Sequence, residues 1–342
     1  MIDPGAPRGT IAIIGAGSWG TALSIAFGGA GKPVRLWARR PELAAAMAAT
    51  RRNPEYLSSF ELPATVMPTG DVAEALSGAE LAILAAPSEG VRAICERLAP
   101  HLAAGQVVIS AAKGLEHNSG RRLSQVIAEC LGEARAGGIA VLSGPNLAPE
   151  VAAGSATVTV VASADRMLAA SVQAALSTPR FRVYTNPDVL GVELGGVLKN
   201  IIAIGAGVSD GLGFGENTKA ALMTRGLAEM TRLGVALGAR ADTFRGLSGI
   251  GDLIATCAGR KSRNHYVGYE LARGRPLQDI VAEMAPQIAE GVGTTRAALR
   301  LADEAGVEMP IAAAVHQVLF EGTPTLEAVK SLMTRAWKDE LE

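Results

Sequence analysis

Short apolar runs alternate with helix-period stretches through the first half of the chain. Thr10–Ile14 is continuously apolar, the pattern of a strand buried on both faces. Pro33–Trp37, Leu81–Ala85, Val107–Ser110, Ile139–Leu142, Thr157–Ala162 and Phe181–Tyr184 repeat the pattern, with helical stretches between them. This alternation predicts one parallel, doubly wound sheet running to about residue 188. From Asn186-Pro187 onward the strand signals stop. Periodicity then predicts helices over 189–209, 216–238, 262–273, 294–305, 311–320 and 325–335, with Thr323-Pro324 opening the last. The expected organisation is an α/β domain, residues 1–188, followed by an all-α C-terminal domain, residues 189–342.

The first strand leads directly into Gly15-Ala-Gly17-Ser18-Trp19-Gly20, and an apolar helix follows from about Thr21 to Ala30. Gly-x-Gly-x-x-Gly in that strand–turn–helix setting predicts a Rossmann dinucleotide site. The first glycine allows the tight turn, the second lets a pyrophosphate approach, and the third lets helix and strand pack closely. Backbone N–H groups at the helix start would hold the phosphates. Trp19 is either ordinary packing or a wall of the cofactor cleft. Where an NAD site carries an acid for the ribose 2′-hydroxyl, the second strand ends in Ala38-Arg39-Arg40. Two guanidiniums suit a 2′-phosphate, so NADP(H) is favoured and NAD(H) stays possible; a solvated basic loop is the plainer alternative. Other strand ends carry Pro87-Ser88, Lys113-Gly114 and Ser143-Gly-Pro-Asn146. Lys113 could hold a substrate oxygen, and Asn146 is expected to cap a helix over Leu147–Ala153.

In the second half, Gly191–Ile204 reads as an interior helix, yet Lys199 and Asn200 sit in its middle. A long side chain leans over the preceding turn, which for Lys199 holds Gly195 and Gly196. The ammonium would lie over bare backbone, with room beside it for a small molecule. No carboxylate lies three or four residues away, so burial would lower its pKa toward neutrality. A lysine that snorkels to the surface is the competing possibility. Asp252 and Thr256 share a helical face that ends at Gly259, and Asp252 is read either as a partner for Lys199 or as an N-cap. Ser262-Arg263-Asn264 follow; Arg263 and the helix start after it suit a phosphate. Glu290-Gly-Val-Gly is a ligand contact or a cap.

Composition narrows the field. The 342 residues are 49% apolar with a formal net charge of −1, which argues against a nucleic-acid or membrane-surface role driven by charge. Cys95, Cys130 and Cys257 lack metal or redox spacing, so a reduced, cytoplasmic setting is expected. No uncharged apolar run reaches membrane-spanning length, and the N-terminus lacks the layout of a signal peptide. His101, His117, His265 and His316 make no metal pattern, and Cys257 reads as buried filler.

Taken together these stretches resemble the NAD(P)-dependent glycerol-3-phosphate dehydrogenase family of bacterial type. The matching pieces are residues 15–22, 36–41, 86–88, 113–114, 143–152, 198–200, 251–257, 262–264 and 290–291, in the family's order. The resemblance implies reversible reduction of dihydroxyacetone phosphate to glycerol 3-phosphate, a precursor of glycerophospholipids, with Lys199 as proton donor and acceptor. It implies that Ser18, Trp19, Arg39, Arg40, Lys113, Ala148, Arg263, Ile288 and Glu290 bind cofactor alongside the three glycines. Lys113, Gly144, Asn146, Lys199, Asp252, Ser262, Arg263 and Asn264 would surround the substrate. A homodimer is the family's expectation. Asn146 stands where the family usually has Ser or Thr, replacing a hydroxyl with an amide. Two other readings stay open: a 3-hydroxyacid or 6-phosphogluconate-type dehydrogenase, and a non-catalytic NADPH-binding regulator.

Overall fold

The computed structural model describes residues 9–116, 119–132, 138–259, 262–337 and 339–340. His117, Arg260 and Lys261 lie outside them. β1 (Thr10–Ile14), β2 (Val34–Trp37), β3 (Val66–Thr69), β4 (Ala79–Leu84), β5 (Val107–Ser110), β6 (Ile139–Ser143), β7 (Thr157–Ala162) and β8 (Phe181–Asn186) form one sheet in the order β3-β2-β1-β4-β5-β6-β7-β8. The order reverses between β1 and β4, which opens a crevice at their carboxyl ends. Ile14 pairs with Trp37 on one side and Leu84 on the other, so three strands end level at that crevice.

Two features of the sheet differ from the pattern-based expectation. β3 was not predicted: it is a four-residue edge strand interrupted by Pro68, which an edge tolerates. β7 runs antiparallel to β6, with Leu142 opposite Val161. A parallel return usually runs through a full crossover helix. Here the connection is built round a five-residue helix, Ala148–Ala152, that packs on the first helix of the chain, so the strand turns back on itself. β8 then pairs parallel with β7 after a full helix.

Helices α1 (Ser18–Gly29), α2 (Pro41–Thr50), α3 (Val72–Leu76), α4 (Val91–Leu98), α5 (Leu123–Leu131), α6 (Ala148–Ala152) and α7 (Arg166–Leu176) are interleaved with the strands. Phe27 of α1 meets Phe181 of β8 edge-to-face at 5.4 Å, in a core that also holds Leu23, Ile13 and Leu36.

Past Asn186 no strand occurs among the described residues. The helices are α8 (Val189–Gly211), α9 (Glu216–Ala236), α10 (Ala241–Phe244), α11 (Asp252–Ala258), α12 (Arg263–Ala272), α13 (Leu277–Met284), α14 (Glu290–Glu304), α15 (Pro310–Phe320) and α16 (Thr325–Met333). A π-helical turn, Leu247–Gly251, leads into α11. α13 lies in a stretch where no helix was expected, and α14 starts at Glu290, earlier than predicted. α8 is the hub, touched by α9, α11, α12, α14 and α15. It crosses α12 so closely that a Cβ at Gly207 would lie 2.0 Å from the His265 carbonyl oxygen. By length and apolarity α8 could span a membrane, yet 83% of its most apolar window is buried inside the chain. It is the core helix of the second half.

One buried acid in this half makes stability depend on pH. Glu229 of α9 accepts hydrogen bonds from the Ile311 and Ala312 N–H groups at the start of α15, at 2.7 and 3.4 Å. Burial raises its pKa from 4.5 to about 7, against the lowering effect of those bonds. With the folded pKa above the unfolded one, stability falls as pH rises from about 4.5 through 7. Glu229→Gln keeps an acceptor and removes the charge. The variant should be more stable than the parent at pH 8, by on the order of 1–3 kcal/mol, with the advantage shrinking toward pH 5. Paired thermal melts at the two pH values check this; equal gains at both would refute it.

Candidate active site

The glycine loop does what its spacing requires. Gly15 has φ +116°, and a Cβ there would lie 2.9 Å from the Ala85 carbonyl oxygen at the end of β4. At Gly20 a Cβ would meet the Gly15 oxygen at 1.9 Å. Gly17 faces open space, and as N-cap of α1 it leaves the helix start without a side-chain cap. An uncapped helix N-terminus beside empty space is an anion cradle, and it fits a dinucleotide pyrophosphate. Ser18 opens α1, and Trp19 is half-buried, packed against the sheet core. Arg39 and Arg40 are exposed after β2, and Arg40 pairs with Glu55. The Tyr56 phenol has its pKa raised by burial and by Glu55, while the charges of Arg40, Arg263 and Arg39 pull it down. The charges of three guanidiniums, one of them from α12, are therefore felt at this ring.

Lys199 is buried, 6% exposed, and its Nζ donates to Asp252 Oδ1 at 2.8 Å and Thr256 Oγ1 at 2.5 Å. It does not snorkel. Burial lowers its pKa from 10.5 to about 8; Asp252 opposes the shift and the Lys113 charge adds to it. Asp252, the first residue of α11, is no N-cap. Its Oδ2 accepts from Lys113 Nζ at 2.7 Å, so one carboxylate bridges two ammoniums. Burial would raise the Asp252 pKa, but the charges of Lys113 and Lys199 outweigh it and hold the group below its ordinary value. Lys113 also donates to the Gly144 carbonyl at 2.8 Å. The cluster thereby sits where β5 and β6 end and α8 crosses beneath them.

Gly195 and Gly196 do not leave the expected vacancy beside Lys199. A Cβ at Gly195 would strike the Ser248 carbonyl oxygen at 2.5 Å, and one at Gly196 the Ser143 hydroxyl at 2.6 Å. The glycines let the π-helical turn and the end of β6 approach α8. Asn146 does not cap α6 either: Leu147 holds that position. The Asn146 amide instead donates to Val158 O at 3.2 Å and accepts from Thr159 Oγ1 at 2.9 Å, locking onto β7. Ala148 is the first residue of α6 and half-buried.

The remaining predicted residues lie on α12 and α14. Ser262 caps α12 by accepting the His265 N–H at 3.3 Å. Arg263 follows it, solvent-accessible but ringed by protein. That enclosure lowers its pKa while Glu290 and Tyr56 oppose the shift. Asn264 is buried; it donates to Asn200 Oδ1 and accepts from Gly291 N–H, both at 2.9 Å. Asn200 in turn donates to the Lys113 carbonyl at 3.3 Å. Glu290 accepts from the Ser88 N–H at 3.2 Å and the Ser88 hydroxyl at 2.5 Å, joining α14 to the loop after β4. Ile288, just before α14, is 37% exposed. The Asn200–Asn264 link and the Ser88 contact are not legible in the sequence. The only signal for either was a polar residue placed at a strand end or inside an apolar helix. Among the described residues no group of acids, histidines and cysteines could hold a metal.

Comparison with known proteins fits this geometry. A family model described as the NAD-dependent glycerol-3-phosphate dehydrogenase N-terminus matches residues 10–169. One described as the C-terminus of the same enzyme matches residues 188–330. The chain belongs to the NAD-dependent glycerol-3-phosphate dehydrogenase family. A family relative, the glycerol-3-phosphate dehydrogenase [NAD(P)+] of Moorella thermoacetica, is 50% identical over 333 residues, covering 97% of this chain and 98% of its own. The crystal structure of glycerol-3-phosphate dehydrogenase from Coxiella burnetii superposes with a TM-score of 0.90 at 38% identity, covering 96% of this chain and 100% of that one. The enzyme from Saccharomyces cerevisiae gives 0.80 at 27% identity, with 95% and 99% covered. Both halves of the chain, and the passage between them, therefore follow the family.

Proposed function

We propose that the chain catalyses the reversible, NAD(P)-dependent reduction of dihydroxyacetone phosphate to glycerol 3-phosphate, with Lys199 as general acid and base. The observation that carries this is the buried Lys199–Asp252–Lys113 bridge at the carboxyl ends of β5 and β6. In reduction, Lys199 Nζ as ammonium gives a proton to the substrate C2 oxygen. In oxidation the neutral amine takes the proton from the C2 hydroxyl. A pKa of about 8 suits both directions near neutral pH. When bound, the nicotinamide supplies or accepts the hydride at C2. Lys113 would share the C2 oxygen, and Asp252 keeps both ammoniums in place. Arg263 at the start of α12 would hold the substrate phosphate, so binding energy away from C2 aligns it. Asn264, its amide occupied, would act by fixing that helix start against Asn200.

On this reading residues 1–188 bind the dinucleotide and residues 189–342 the triose phosphate. The Gly15–Gly20 loop would hold the pyrophosphate, Arg39 and Arg40 the 2′-phosphate of NADP(H), and Glu290 with Arg263 would add contacts to the cofactor. The product would feed glycerophospholipid synthesis in the cytoplasm, with the chain acting as a homodimer. The test is oxidation of NADPH followed at its absorbance band, with dihydroxyacetone phosphate against 3-oxo acids. Turnover on the triose phosphate is expected. Preference for an oxo acid would favour a hydroxyacid dehydrogenase, and binding without turnover a regulator.

The cofactor assignment has its own check. Arg39→Asp with Arg40→Ser should lower the NADPH-to-NADH ratio of kcat/KM by about tenfold or more, since charge-assisted contacts to phosphate are lost. An unchanged ratio would remove the 2′-phosphate from these residues.

A further inference from the structure

Asn53 lies in the loop between α2 and β3, far in sequence from any motif, and is fully buried. Its side chain has no spare valence. Nδ2 donates to the Ala16 carbonyl and to Thr21 Oγ1, both at 2.9 Å. Oδ1 accepts from the N–H groups of Glu55 and Tyr56 at 3.1 and 3.2 Å. Ala16 stands between Gly15 and Gly17, and Thr21 is in the first turn of α1. Glu55 pairs with Arg40. The loop cannot drift, because Arg51, left-handed at φ 55°, donates from its guanidinium to Val66 O and Leu62 O, both at 3.0 Å.

We propose that Asn53 is a positioning residue for the dinucleotide site, fixing the glycine loop through the Ala16 carbonyl and thereby setting affinity for both nicotinamide cofactors. The inference rests on the glycine loop being the pyrophosphate site. The Ala16 peptide leads into Gly17, whose open face is where phosphate would lie. A donor fastened to that carbonyl holds the peptide plane, and so the direction of the neighbouring N–H groups. The Asn53 side chain touches neither phosphate nor nicotinamide on this account; it acts through the loop.

Asn53→Asp separates the two halves of the role. The carboxylate still accepts from Glu55 and Tyr56, but it faces the Ala16 carbonyl with no N–H to give. A buried acceptor left opposite another acceptor is costly, so the loop should move away from it. NADPH and NADH affinities, read directly by quenching of tryptophan fluorescence (Trp19 lies in the first turn of α1), should both weaken by about tenfold. The kcat at saturating cofactor and the KM for dihydroxyacetone phosphate should change less than about threefold, because neither involves the loop once cofactor is bound. Thr21→Val, which removes one of the two acceptors while keeping shape, should weaken both cofactors a few-fold in the same direction; it decides the matter if the aspartate variant does not fold. Unchanged affinities would overturn the proposal, and so would a loss confined to NADPH, which would place the effect at Arg40 instead. Gly17→Val is the reference: its Cβ enters the open face with no protein atom beyond its chain neighbours within 4 Å. If that variant binds normally, the glycine loop is not the cofactor site and the premise itself fails. If it loses binding while the Asn53 and Thr21 variants bind normally, only the positioning role is wrong.

Discussion

Lys199→Ala should lower kcat by two to four orders of magnitude, the scale of general acid–base catalysis, while leaving NADPH affinity within about threefold of the parent. The side chain is buried in α8, and its contacts are Asp252 and Thr256 rather than any part of the glycine loop. Cofactor binding therefore has no reason to change. The residual rate should also lose its pH dependence. In the parent, kcat/KM for reduction falls as pH rises through about 8, because only the ammonium can donate. Without Lys199 that limb should vanish. The space left beside Asp252 and Thr256 admits a small primary amine, so added methylammonium should restore part of the rate. A variant with near-normal turnover, or one retaining the limb near pH 8, would take the proton role away from Lys199. The parallel measurement of Tm matters, because removing one ammonium leaves Asp252 with Lys113 and the Thr256 hydroxyl.

The elements that could be read from the chain are those whose signal is local. The glycine loop works because each glycine meets its constraint within a few residues: Gly20 against Gly15, Gly15 against the end of β4. Lys199 stood out because a charge inside an apolar helix must be matched, and Asp252 was a readable match because the Asp252–Thr256 spacing puts both on one face. What failed depended on distant packing. The antiparallel turn of β7 follows from where α6 lodges, which no residue in β7 encodes. Asn146 sits at a good capping position, but Thr159, across the sheet, competes for its amide and wins. Gly195 and Gly196 suggested an opening, since a missing side chain looks the same whether ligand or backbone fills it; Ser248 and Ser143 fill it here. Asn53 carries no motif at all, and its importance is visible only once Ala16 lies against it.

Asp252→Asn should be the most informative substitution in the site, because one atom change removes the charge that two lysines share. With the carboxylate gone, burial acts on Lys199 without its main counterweight and Lys113 repels it, so the Lys199 pKa should drop below its value of about 8. At pH 7.5 little ammonium would remain, and kcat/KM for reduction should fall about a hundredfold or more. Its alkaline limb should move to lower pH, so part of the loss returns as the buffer is acidified toward 6. That recovery separates a change of charge state from a damaged fold, which acid would not repair. Stability should suffer too, most at low pH, where Lys199 must be buried as an ammonium without its partner, a loss that typically reaches about 3–5 kcal/mol. Here that cost is moderated because an asparagine oxygen still accepts from one lysine and Lys113 keeps its bond to Gly144. The decisive readout is the position of the limb. If kcat/KM falls while the limb stays near pH 8, Asp252 orients the lysines without setting their charge, and the electrostatic account of this site is wrong.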